Sequence, residues 1–184
     1  MILVDDWATG AHVKVADRLS LALQKQGCEV IIYADKQSCN RIGKFSVDPA
    51  HSGTLHIAGN DSIGINPSHF AATMRALEKD RLSPDILITE HFPFCKMDAG
   101  PGLEIKQCVE ATKAICPNTK IHALVRDIPS IQSFNDIDRQ TLSSFDKILV
   151  RGDQRIFRYE DRFKGADANA LEGKLAFDVC KRSS

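Results

Sequence analysis

The sequence predicts one α/β domain, a three-layer sandwich built on a mostly parallel sheet. Three observations predict it. Continuous apolar, β-branched runs recur along the chain, helix-length amphipathic stretches separate them, and the first strand, helix and strand follow one another with almost no connecting sequence. Parallel neighbours need a crossover of this kind, and the crossover is right-handed. A length of 184 residues suits one domain, and such a chain buries roughly two-thirds or more of its unfolded surface.

Each element has its own signal. The opening "MILVDD" is a short apolar run that ends in two acids, and "GAHVKVADRLSLALQKQG" follows as a helix with Val15, Leu19, Ala22 and Leu23 on one stripe. Gly27 closes it in the usual C-terminal glycine position. "CEVIIYAD" is a β-branched strand. Residues 35–66 read as a long mobile loop with "GTLHIAG" as the one plausible strand. "NPSHFAATMRALEKDRL" is a helix, with Asn66 as N-cap and Pro67 at its first position. "DILIT" is a strand, "LEIKQCVEATKAI" a helix ended by Pro117, and "KIHALV" a strand. "IPSIQSFNDIDRQTLSSF" reads as helical in its later part and "KILV" as a strand. The domain is expected to span residues 1–153, with 154–184 a terminal helix or exit segment.

Lys plus Arg and Asp plus Glu number 24 each, so no net field draws in nucleic acid or an anionic membrane. The six cysteines, Cys28, Cys39, Cys95, Cys108, Cys116 and Cys180, form no CxxC pair and no zinc-ligand cluster. They read as reduced, packing thiols of a cytoplasmic protein. No apolar run approaches the ~20 residues of a membrane span.

In an open parallel sheet, ligands bind beyond the carboxyl ends of the strands, where helix N-termini and loops converge. That rule selects Asp5, Asp6, Trp7, Thr9, Gly10 and His12 after the first strand, and Glu90 and His91 after "DILIT". It also selects Arg126 and Asp127 after "KIHALV", and Arg151, Gly152 and Asp153 after "KILV". Two readings stand for each. Arg126 is either a group for an anionic ligand or the partner of Glu90 or Asp127 in a rim ion pair, worth about 1 kcal/mol or less if exposed. His12 is either a general base or a helix-start histidine bonded to a neighbouring loop. The dinucleotide and P-loop glycine patterns are absent, which argues against nucleotide binding by the first loop. The acidic pair Asp5–Asp6 also suggests a phosphoacceptor receiver domain, but the later strand-end carboxylate is a glutamate.

"TGAHVKVADRLSLALQKQGCEV", "PDILITEHFPF", "VRDI" at 125–128 and "FDKILVRGDQRI" at 145–156 occur in the order found in another group of proteins. In these motifs the chain resembles the bacterial predicted glycosyltransferases of GT-B type, with Thr9-Gly10-Ala11-His12 where that family has Gly-x-Gly-His. The resemblance implies the Rossmann-like, N-terminal, acceptor-side half of a transferase. It would work with a nucleotide-sugar-binding C-terminal half and a sugar or glycolipid acceptor, without metal or other cofactor. It implies His12 as the base, with Glu90 or Asp127 orienting it or the acceptor. Thr9, Gly10, Arg126, Gly152 and Asp153 would line the acceptor site. A lone half is also expected to self-associate through its cleft face. The competing expectation is a non-catalytic α/β binding module.

Overall fold

The computed structural model describes residues 1–4, 11–42, 55–62, 64–89, 101–125, 145–151 and 175–178. Among the described residues seven strands form one sheet: β1 (Ile2–Val4), β2 (Val30–Asp35), β3 (Leu55–Asn60), β4 (Ile86–Thr89), β5 (Lys120–Val125), β6 (Lys147–Arg151) and β7 (Leu175–Asp178). Their order is β3-β2-β1-β4-β5-β6-β7, and every pairing is parallel. The fold is Rossmann-like.

Among the described residues four helices flank the sheet: α1 (Ala11–Lys25), α2 (Lys36–Ile42), α3 (Pro67–Lys79) and α4 (Pro101–Ile115). Because successive strand side chains alternate between faces, β1 serves two cores with three residues. Ile2 and Val4 pack with Val13, Ala16, Ile32 and Ala34 on the α1 side. Leu3 packs with Tyr33, Phe70, Met74, Leu87, Ile105 and Cys108 on the α3–α4 side. A strand buried on both faces has no polar side to show, which is why these strands read as unbroken apolar runs.

α1 is turned relative to its expected stripe. Val13 and Ala16 are its fully buried apolar residues, Leu19 and Leu23 border them, and Ala22 is exposed. The stripe continues through Ser20, a polar residue that is buried because its hydroxyl donates to Asp17 O at 2.7 Å. Counting apolar letters alone therefore displaces the face. The end of α1 is as expected: Gly27 has φ +79°, and its N–H donates to Gln24 O while that of Cys28 reaches Leu23 O. This pair of bonds is the Schellman closure of a helix.

The stretch expected to be a mobile loop contains α2 as well as the strand β3; residues 43–54 lie outside the described residues. α2 has no apolar stripe to announce it. Its start is set by Asp35, whose two carboxylate oxygens accept from the Ser38 N–H and hydroxyl, each at 2.9 Å. α3 begins as its sequence predicts, with Asn66 Oδ1 accepting from the N–H groups of Ser68 and His69 at 3.0 and 3.1 Å.

At the amino edge of the sheet Asp146 ties β5 to β6. Its carboxylate accepts from Ile121 N–H at 2.8 Å and lies 3.3 Å from Lys113 Nζ and 3.4 Å from Lys120 Nζ. Burial alone would raise its pKa, but the Ile121 N–H and the two lysines outweigh that and hold it below the usual aspartate value. Residues 175–178 are a strand beside β6, and the rest of the segment expected to be a terminal helix or exit segment lies outside the described residues. The helix expected before Phe145 lies outside the described residues, although Phe145 itself is buried in the α3–α4 core. The packing role expected for the cysteines holds for buried Cys108 and Cys116 and for half-buried Cys39, none of them in a disulfide. It fails for Cys28, which is exposed. Cys95 and Cys180 lie outside the described residues.

Candidate functional site

The strand order places the site. From β1 the chain winds outward through β2 to β3, then returns through α3 to β4 on the other side of β1. Helices on the two sides of that reversal cover opposite faces of the sheet, and open α/β sheets receive ligands beyond the carboxyl ends of the strands at such a point, here β1 and β4; residues 5–10 and 90–100, which follow those ends, lie outside the described residues. Register brings those ends together, with Leu3 beside Thr89 and Thr89 beside Ala123.

Polar groups along the carboxyl edge fall into two kinds. On the β2–β3 side they are committed to the fold. Asp35 is consumed in capping α2, and Asn66 closes the start of α3, whose Phe70 N–H is taken by Asn66 O at 2.9 Å. Asn60 ties the turn before α3, its Nδ2 donating to Gly64 O at 3.0 Å and to Ser62 Oγ. Tyr33, fully buried, shares a 2.6 Å hydrogen bond between its hydroxyl and His69 Nδ1, and burial pushes the phenol pKa upward. Helix N-termini attract anions through free N–H groups; here those of Ser68, His69 and Phe70 in α3 and of Ser38 in α2 are already taken.

On the β1–β4 side two groups are uncommitted among the described residues. Thr89, the last residue of β4, has 0% exposure, and its Oγ1 has no hydrogen-bond partner among the described residues. Glu104, in the first turn of α4, has a buried Oε2 likewise without a partner, and burial raises its pKa. By strand alternation Thr89 shares the face of Leu87, and Ile105, next to Glu104, is buried in that same core. Both groups therefore belong to the α3–α4 face. Buried polar groups are nearly always paired, and an orphan costs about 1–3 kcal/mol. Asn60 Oδ1 also lacks a partner, but it stands three strands from β4, roughly 14 Å away at the usual spacing.

Of the residues selected from sequence, Thr9, Gly10, Glu90, Arg126, Asp127, Gly152 and Asp153 lie outside the described residues, as do Asp5, Asp6, Trp7 and His91. His12 is the second residue of α1. Arg151 ends β6, in register with Asp178 of β7. Sequence reasoning passed over Thr89, because a threonine at a strand end is ordinary strand composition and its buried, unpaired hydroxyl is a property of the packed sheet. Glu104 stands in the first turn of a helix, where a glutamate is ordinary helix composition. Among the described residues no group of three His, Cys, Asp or Glu side chains is placed to hold a metal ion. The chain has one Asp-x-Asp spacing, Asp136 and Asp138, outside the described residues. Among the described residues no helix is long and apolar enough to cross a membrane. Comparisons with protein-family models, with curated proteins and with solved structures find no match to this chain.

Proposed function

We propose that this chain is the acceptor-side half of a GT-B glycosyltransferase, binding a sugar or glycolipid acceptor at the crevice between β1 and β4 while a second α/β unit holds the nucleotide sugar. The observation that carries the reading is the order β3-β2-β1-β4-β5. It makes β1 and β4 the neighbours at the reversal, and these are the strands that run into two of the motifs that carry the resemblance, "TGAH" and "EHFPF".

In this reading His12, at the start of α1, takes the proton from the acceptor hydroxyl as that oxygen attacks the anomeric carbon of the donor sugar. Glu90 or Asp127 orients the imidazole or the acceptor. Arg126 holds an anionic acceptor group or the leaving diphosphate, which a guanidinium does bidentately.

Two measurements test the proposal. This half alone is expected to hold nucleotide sugars negligibly in calorimetric titration, and tight binding would overturn the assignment of sides. Together with the donor-binding half, His12→Ala is expected to lower kcat about 10²-fold or more. An unchanged rate removes His12 from the chemistry.

A further inference from the structure

The geometry points to Thr89 Oγ1 and Glu104 Oε2 as reserved hydrogen-bonding groups for a neutral, hydroxyl-bearing part of a ligand in the β1–β4 crevice. The inference deepens the acceptor reading and rests on it for the ligand's class, but not for the claim that these two atoms are held open.

Three observations converge. The crevice at the reversal of strand order is where a parallel sheet receives ligands, and Thr89 ends the strand that forms one wall of it. Thr89 is fully buried, yet its hydroxyl meets no partner among the described residues. Glu104, on the helix that follows the same strand and packs on the same face, keeps one carboxyl oxygen buried and without a partner among the described residues. The contrast with the neighbouring strands sharpens this. At the ends of β2 and β3 the fold supplies Asp35 and Asn66 as caps for the helices that follow. At β4, among the described residues, a hydroxyl and a carboxyl oxygen stay unspent.

The chemistry of the pair selects the ligand. A carboxylate oxygen accepts hydrogen bonds and repels a phosphate. A threonine hydroxyl both donates and accepts, so its full complement is a group that does the same. A sugar hydroxyl meets both requirements. An ammonium, which only donates, leaves the Thr89 proton unplaced.

An unspent group betrays itself before any ligand is added. If the Thr89 hydroxyl had a partner within the protein, Thr89→Val, close in shape, would lose that bond and melt earlier. As a reserved group its removal relieves an unpaired buried dipole, and Thr89→Val is expected to melt at the wild-type temperature or about 2–4 °C above it. Glu104→Gln is expected to melt no lower than wild type. A fall of several degrees in either variant overturns the inference.

N-acetylglucosamine and glucose, titrated separately and followed by amide chemical shifts, supply the second measurement. At least one is expected to bind the wild-type chain and Thr89→Ser, with affinity lowered about tenfold or more in Thr89→Val. Equal affinity in Thr89→Val, or no binding of either sugar by the wild-type chain, overturns it. Failure of the transferase reading shows elsewhere, in tight nucleotide-sugar binding by this half or in an unaltered rate for His12→Ala.

Discussion

Gly59→Ala tests how closely α2 is seated on the sheet. Gly59 lies in β3 beneath Cys39 of α2, and a Cβ added there would stand 2.7 Å from Cys39 Sγ and 3.3 Å from Ala34 O. Optimal non-bonded separations are about 3.5–4.0 Å, so the sulfur must retreat by about 1 Å. It has little freedom, because Sγ sits 3.5 Å from Ala34 O and the helix that carries it is fixed at its first turn by Asp35. Gly59 has no positive φ, so alanine adds no backbone strain, and the lost glycine entropy of the unfolded chain favours the variant by about 0.4–1 kcal/mol. Overpacking costs about 1–3 kcal/mol and wins. Equilibrium urea unfolding of wild type, Gly59→Ala, Cys39→Ala and the double variant separates the terms, since the entropic gain cancels from the cycle. The double variant is expected to recover about 1 kcal/mol or more relative to the sum of the single changes. Additivity within about 0.5 kcal/mol would refute the contact.

Two further outcomes follow from capping and charge. Asn66→Ala removes the acceptor for two N–H groups at the start of α3 and is expected to cost about 1 kcal/mol in urea unfolding, with Asn66→Asp restoring most of it. Asp146→Asn is expected to cost about 1 kcal/mol near neutral pH, by loss of the charge that faces Lys113 and Lys120. Because the folded pKa lies below the aspartate reference of 3.8, this stabilisation is complete above that value. It disappears as pH falls through the folded pKa, so wild type and variant are expected to converge in acid. A gap that persists well below pH ~3 would place the contribution in geometry instead of charge.

The parts of the fold legible in the sequence are those with a local cause. β2, β4 and β5 are apolar runs buried on one or both faces, and the start of α3 is written in Asn66-Pro67. α2 was hidden because a carboxylate cap, not an apolar stripe, sets where it starts. β7 was hidden because "LAFD" is four residues inside a charged, alanine-containing stretch, and pairing with β6 makes it a strand. The site divides in the same way. That the carboxyl ends of the strands carry polar residues can be read from the chain. Which two strands border the reversal cannot, because right-handed crossovers do not say on which side of β1 the strand after α3 will dock. Thr89 and Glu104 acquire meaning only once the order is known.

β1 has three residues and a neighbour on each side. One of its ladders closes against β2, within the first 35 residues, but the other waits for Ile88 and Thr89. Contacts so distant along the chain are slow to form, since a large loop must close before they repay its entropy. On a ribosome the first strand is thus half-finished while the next two strands and α3 are being made. The carboxyl ends of β1 and β4 come together only when β4 arrives, and a chain halted before Thr89 carries only that of β1.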